Sequence, residues 1–448
     1  MRFSAYQTPF SSVSHTVGYL VRNGGFVMGG SFVVTGGQPL YGSVRVPAAK
    51  NSVLPLLAAA LLCSGPVRLR GVPRLSDVEA CLGLLRGVGC TADWQGGDVV
   101  VSGRARRCEL QQEYAGQFRA SVLFCAPLLA KLGRAETLLP GGCRIGARPI
   151  DLHLEGLKQM GAREQPAEPG RLILTAPAGL HGVDFTLRFP SVGATETLLL
   201  AAVCARGETV LRGAAREPEI VDLAQFLNRC GGCVQGAGGP VLRIQGRRIL
   251  SGTEFAPLPD RIYASTLACA AAAAGGRVEL SGCAPGLYAP VLDLLEQIGC
   301  DVSRGAQGAS VARFGPLHGV GRVFTGVYPG LATDAAPLVA AALLCADSAS
   351  SIEDVVFERR FGCAEGFDRM GADTQVEGRV LRIRPVRGLH AAWVSAPDLR
   401  GGAALILAAL AAIGTSHIEG AEHVDRGYAD LAQVLAGLGA RIARQTEA

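Results

Sequence analysis

One signature, leucine or phenylalanine, then three residues, then glycine and a small residue, recurs six times along the 448-residue chain and constrains its architecture. The copies run Leu85 to Cys90, Leu157 to Ala162, Leu227 to Gly232, Leu295 to Cys300, Phe367 to Ala372 and Leu435 to Ala440. Their glycines lie 72, 70, 68, 72 and 68 residues apart. Spacing this even, and longer than that of the common solenoids, marks six copies of one supersecondary unit. In each copy an alanine- and leucine-rich stretch such as Val53 to Cys63 or Ala194 to Ala205 reads as a helix. A short strand follows, such as Val67 to Leu69 or Thr209 to Leu211, and then a second helix. In the third unit that second helix has apolar Ile220, Leu223, Phe226 and Leu227 at helical spacing, and Glu217-Pro-Glu219 marks its start. The signature glycine supplies a left-handed C-cap. β-branched runs such as Cys233-Val234, Val241 to Ile244 and Val380 to Ile383 complete an α-β-α-β-β unit.

The first helices are almost free of charge, as in Ala268 to Ala274 and Leu405 to Ala412, so each must be buried on every side. The expectation is an α/β protein built as a two-domain inside-out barrel, with helices inside and sheets outside. Three units fall in 50–258 and three in 28–49 plus 259–448, with the boundary near Leu258-Pro-Asp-Arg261. The first 27 residues read as an extension, with Met28 an alternative start because strand-like sequence begins at Ser31.

Basic charge comes almost wholly from arginine, with lysine only at 50, 131 and 158, and the basic residues form no run that would suit nucleic acid. Apolar runs such as Leu54 to Cys63 are shorter than the roughly 18 residues a membrane span needs. Most of the 14 cysteines lie in apolar segments and read as small hydrophobes in a reducing cytoplasm. The Cys230-Gly-Gly-Cys233 pair has no second ligand pair beside it, so no metal is expected. No P-loop, dinucleotide-binding glycine pattern or zinc-hydrolase motif occurs.

Leu139-Pro-Gly-Gly-Cys143-Arg-Ile-Gly-Ala-Arg148-Pro-Ile-Asp151 places one thiol between glycines and arginines, a setting that favours thiolate and close approach of a ligand. Pro47-Ala-Ala-Lys50-Asn51-Ser52 sets a compact ammonium before a buried helix, suited to a small anion. Asp334 reads first as an N-cap carboxylate, and alternatively as a general base at a cleft. Arg119 and Arg400 stand, like Lys50, at the starts of apolar helices, whereas Arg360 and Arg426 lie in strand-to-helix turns. His423, beside Asp425, is the histidine of most interest.

Together with Phe189-Pro-Ser-Val-Gly-Ala-Thr-Glu196, Ala215-Arg-Glu-Pro-Glu-Ile-Val-Asp222 and Asp425-Arg-Gly-Tyr428, these motifs resemble the UDP-N-acetylglucosamine 1-carboxyvinyltransferase family, from about Gly29 to Ile442. The resemblance implies transfer of enolpyruvyl from phosphoenolpyruvate to the 3′-hydroxyl of UDP-N-acetylglucosamine, without metal or other cofactor, in peptidoglycan synthesis. It implies Cys143 as general acid and Asp334 as base. Lys50, Arg148 and Arg426 would hold the donor's phosphate and carboxylate, with Asn51, Arg119, Arg360 and Arg400 in the same cleft. Arg148, Pro149, Ile150, Asp151, Leu152, Phe189, Pro190, Ser191, Val192, Asp334 and Val356 match positions that receive the nucleotide sugar. Pro47, Ala48, Ala336 and Arg359 depart from the family pattern. The related 5-enolpyruvylshikimate-3-phosphate synthases lack such a cysteine loop, and a silent UDP-sugar-binding protein is the reading from outside the enzymes. The resemblance also makes Cys143 the target of the family's epoxide inhibitor. Fosfomycin is expected to add one equivalent at Cys143, faster with UDP-N-acetylglucosamine present; a mass spectrum showing unmodified Cys143 would count against a nucleophilic thiol.

Overall fold

A computed structural model describes residues 20–22, 25–27, 29–139, 145–146, 149–247 and 249–446. All six signature glycines adopt positive φ, from 85° at Gly371 to 106° at Gly89 and Gly299. At five of them the next residue donates its N–H to the leucine or phenylalanine carbonyl that opens the signature, as from Ala162 to Leu157 (2.9 Å) and Cys300 to Leu295 (2.9 Å). This is the Schellman closure, so the leucine–glycine spacing is the length of its ring.

The unit folds as α-β-α-β-β. In the third, the helix Val192–Ala202 leads to the strand Glu208–Arg212, the helix Pro218–Arg229, and the strands Cys233–Gln235 and Val241–Gln245. A strand from before the first helix, Asp184–Thr186, joins parallel to Glu208–Arg212 and completes a four-stranded sheet. Five sheets have this four-stranded form and one has three strands. The hydrophobic core falls into two clusters, one drawn from residues 53–255 and one from 32–46 with 262–440.

Within each cluster the first helices pack on one another: Arg261–Ala274, Ala336–Leu343 and Leu399–Ala411 in one, and Lys50–Ala60, Cys125–Leu132 and Val192–Ala202 with the short turn Arg119–Phe124 in the other. Ala268 to Ala273 and Leu405 to Leu410 are fully buried, as a helix without a polar face requires, whereas Ala274 and Ala411 at the outer ends are half-buried. The abundance of alanine lets three helix backbones approach closely.

The chain crosses between the clusters twice. Strand Leu40–Arg45 pairs in parallel with Gly276–Ser281, and strand Glu254–Phe255 pairs in parallel with Val67–Leu69. The crossings run side by side: Ala49 N–H donates to Leu258 (2.8 Å) and Asp260 N–H to Pro47 (2.8 Å). Strand Gly30–Thr35 lies between Thr415–Glu419 and Arg441–Thr446, so the first strand of the repeat architecture and the last described strand share one sheet. Within the extension, Leu20–Arg22 pairs antiparallel with Gly25–Val27, a hairpin not anticipated from the sequence.

Asp222 braces the crossings by accepting from Ser52 Oγ and from Leu258 N–H (3.2 Å). Burial pushes its carboxyl up to about 6, against the pull of those two donors. A raised carboxyl pKa means that the protonated form stabilises the fold fully below the unfolded value of about 4, and that this contribution is lost as pH rises through about 6. Asp222→Asn, which keeps the neutral shape, is expected to flatten the stability profile across that window, by up to about 3 kcal/mol. Urea midpoints measured at a series of pH values check this, and an unaltered profile would clear Asp222 of the effect.

Candidate functional site

The apolar first helices can carry charge only at their ends, and the starts of several of them converge. Lys50, the first residue of Lys50–Ala60, is buried and its Nζ lies 3.1 Å from Asp77 Oδ2. Asp77, in the first turn of Ser76–Gly87, also accepts from Arg426 Nε at 2.9 Å and from Arg426 Nη2 at 3.4 Å. Burial pushes the Lys50 ammonium below the usual lysine range, with Arg426 and Arg400 adding like charge, while Asp77 opposes the fall. For Asp77, burial favours the protonated form, but Lys50 and Arg426 outweigh it and hold the carboxyl below its ordinary value.

Asp334 corrects one expectation. It sits inside the short turn Thr333–Ala335 and caps nothing; its carboxylate instead joins Arg360 Nη2 and Arg400, whose Nε and Nη2 both lie at 3.2 Å. Burial opposes ionisation, but the two guanidinium groups, with Lys50 behind them, hold Asp334 far below the usual carboxylate range. Arg360 and Arg400 are 2% and 4% exposed, and Arg360 is fixed further by Nε donating to Thr333 O (2.7 Å). Arg400 Nη1 is buried with no hydrogen-bond partner among the described residues, and its guanidinium lies 5.2 Å from the Tyr428 ring.

The structure therefore brings Lys50, Asp334, Arg360, Arg400 and Arg426 into one electrostatically coupled group. Asn51 is exposed beside it in sequence. Most of the other predicted residues lie around the starts of the helices Asp151–Gln159 and Val192–Ala202, which pack on each other. Arg119 reaches Pro149 O (3.2 Å), Ile150 and Leu152 are buried, and Asp151 pairs with Arg188 next to exposed Phe189. Beyond Pro190, Ser191 caps the helix that begins at Val192 by accepting from Ala194 N–H (3.3 Å). Val356 lies in a turn held by buried Asp354, which accepts its N–H (2.8 Å) and also bonds Thr333. Cys143 and Arg148 lie outside the described residues.

Sequence reasoning missed Asp77, Asp354 and the buried acids around Arg261. Asp77 looked like an ordinary first-turn acid, and its partner is 349 residues away. Arg261 Nε pairs with Glu219 at 3.0 Å, and burial drives nearby Glu196 well above the carboxylate range, with Glu219 and Glu217 reinforcing it. A charged residue repeated at helix starts was the available signal for Arg261.

A sequence profile for EPSP synthase (3-phosphoshikimate 1-carboxyvinyltransferase) matches residues 34–435. The UDP-N-acetylglucosamine 1-carboxyvinyltransferase of Nitratidesulfovibrio vulgaris is 43% identical over 420 residues, covering 93% of this chain and 99% of that one. The chain belongs to the UDP-N-acetylglucosamine 1-carboxyvinyltransferase family. A family member from Acidiphilium cryptum is 42% identical over 92% of this chain and 98% of its own. Among solved structures, the enolpyruvyl transferase NikO from Streptomyces tendae superposes with a TM-score of 0.84 at 27% identity, covering 94% of this chain and 100% of that one. EPSP synthase from Acinetobacter baumannii, at 21% identity and a TM-score of 0.73, shares the fold. The inside-out two-domain architecture is thus that of the enolpyruvyl transferases. No helix among the described residues is long and apolar enough to cross a membrane.

Asp334→Asn would leave two buried guanidinium groups without their carboxylate. It is expected to cost about 3 kcal/mol of stability, read as a fall in thermal midpoint; an unchanged midpoint would mean that neighbours already satisfy Arg360 and Arg400.

Proposed function

We propose that this chain transfers the enolpyruvyl group of phosphoenolpyruvate to the 3′-hydroxyl of UDP-N-acetylglucosamine, releasing phosphate, as a cytoplasmic step of peptidoglycan synthesis. The observation that carries this reading beyond family membership is the cluster of four cations, Lys50, Arg360, Arg400 and Arg426, around the two carboxylates Asp77 and Asp334. A donor with a phosphate and a carboxylate needs such an excess of positive charge. Lys50, Arg360 and Arg400 are buried and Arg426 is tied to buried Asp77, so these cations provide it with little reorganisation as charge develops during reaction.

The reaction is an addition followed by an elimination. The sugar hydroxyl adds at C2 of the donor while C3 gains a proton, and the tetrahedral intermediate then loses phosphate and a C3 proton. Cys143 is proposed as the acid, with Arg148 in the same loop holding the donor. Asp334 is proposed as the base. Gripped by Arg360 and Arg400 it is a weak one, because its proton affinity is low. Donor anions that draw those guanidinium groups toward themselves would loosen the grip and raise its basicity. Arg400, held between Asp334 and Tyr428, is proposed to take a donor oxygen. Lys50 and Arg426 are proposed for the phosphate, with Asn51 at the rim. Arg119, Pro149 to Leu152, Phe189 to Val192 and Val356 are proposed for the nucleotide sugar. Exposed Phe189 offers an apolar face for that ligand, 44% open to solvent.

The test is phosphate release from phosphoenolpyruvate by the full-length protein, with UDP-N-acetylglucosamine and shikimate 3-phosphate offered in parallel. Release with the nucleotide sugar alone is expected. Release with shikimate 3-phosphate would reassign the acceptor, and no release from folded protein would favour a silent binding protein. Cys143→Ser is expected to lower kcat by at least about a hundredfold if the thiol is the acid.

A further inference from the structure

We propose that Asp77 is the positioning residue of the anion site: its carboxylate holds Lys50 within one domain and captures Arg426 from the other, so that the two cations come into register only while Asp77 is charged and in place. The proposal deepens the transferase reading above and rests on it.

The geometry is specific. Asp77 Oδ1 takes Arg426 Nε at 2.9 Å, and Oδ2 lies 3.1 Å from Lys50 Nζ and 3.4 Å from Arg426 Nη2. Asp77 is 4% exposed and Lys50 is buried with it, so that half of the bridge is screened little by solvent, whereas the Arg426 side chain is 37% exposed and its half is screened more. It occupies the first turn of a 12-residue helix, where the N-terminal dipole also favours a carboxylate. Two cations on one carboxylate leave a net positive charge for an incoming anion. Arg426 belongs to the Asp425-Arg-Gly-Tyr428 turn, whose Tyr428 hydroxyl is bonded to Thr266 (2.7 Å) in the core of its own domain. The bridge therefore links two separately packed bodies at the point where the donor is proposed to bind.

Asp77 also supports the charge of Lys50. The groups that act on the ammonium are Asp77 from its own domain and Arg426 and Arg400 from the other, with Asp334 interacting beyond them; Asp260, which caps the helix Arg261–Ala274, meets Lys50 through the backbone N–H, at 3.4 Å. Without Asp77, Lys50 faces two guanidinium groups in a buried setting, and its ammonium form is disfavoured.

Asp77→Asn and Asp77→Glu, compared with the native protein from neutral to alkaline pH, test this. For Asp77→Asn, the KM for phosphoenolpyruvate is expected to rise about tenfold or more, with a smaller change in kcat and a near-native KM for UDP-N-acetylglucosamine. The alkaline fall in kcat/KM is expected to move to lower pH. Asp77→Glu keeps the charge and should restore that limb in part; it carries the test should Asp77→Asn not fold. A native KM and an unmoved alkaline limb in folded Asp77→Asn would overturn the proposal. If the native protein transfers nothing, the transferase reading fails, and calorimetric affinity for inorganic phosphate then decides the role of Asp77. Weaker binding by Asp77→Asn supports it, and equal or tighter binding refutes it.

Discussion

A helix buried on all sides has nowhere to put a charge except at its ends, and that constraint organises this molecule. Three such helices pack together in each half, and their alanines remove the side-chain bulk that would hold them apart. Polar groups are displaced to the first turns: Lys50, Arg261, Asp334 and Arg400 each stand at the start of a buried helix or of the short turn leading into one. The electrostatic coupling among these residues shows that the starts meet in one place. A helix start is already electropositive, so gathering several of them with lysine and arginine produces a field suited to a small polyanion.

Burying so much charge is costly, and the protein meets that cost by pairing. Asp77 answers Lys50 and Arg426, Asp334 answers Arg360 and Arg400, and Glu219 answers Arg261. Two of these sets, Asp77 with Arg426 and Glu219 with Arg261, join residues on opposite sides of the division between the cores. Pairs of this kind add little net stability against an apolar alternative, but each penalises any arrangement in which the partners part. Beside the paired backbone crossings at Pro47 to Ala49 and Leu258 to Asp260, they make the relation between the halves depend on charge as well as packing.

The architecture was legible in the sequence because it rests on local rules. Helix caps, apolar periodicity and glycine φ act over a few residues, and their sixfold recurrence located the helices to within about two or three positions, as Val53 to Cys63 against the observed Lys50–Ala60 shows. The cations of the site were legible for the same reason, each marking a repeated position in the unit. Their carboxylate partners were not. Asp77 lies in a first turn where acids are common, and nothing local points to an arginine 349 residues on. Asp334 was open to reading as a cap because caps are the usual business of an aspartate before a helix; only the approach of Arg360 from later in its own unit and of Arg400 from the next unit gives it a different one. Long-range pairing follows from how units are set against each other, which the repeat itself does not encode.

The departures from the family pattern bear on how far such readings transfer. Pro47 lacks an N–H, yet its contribution to the crossing is its carbonyl, which accepts from Asp260, and Ala48 bridges Pro259 through backbone alone. Arg359 is another such departure, but the bond its backbone makes to the cysteine-bearing loop is from its own N–H to Ile145 O at 3.0 Å, which any residue but proline could make. Beside it, Gly146 holds a φ of 136°, where any side chain is strained, and a Cβ there would also come within 3.2 Å of the Glu358 backbone N, so glycine is favoured at that position. Ala336 is fully buried within its helix, where a longer polar side chain would need partners of its own. Each substitution thus falls where the fold uses main chain or small volume. The same turn that receives Ile145 and Gly146 carries Arg360 to Asp334, so contact with the loop and the charge state of the carboxylate are set by neighbouring residues of one short segment.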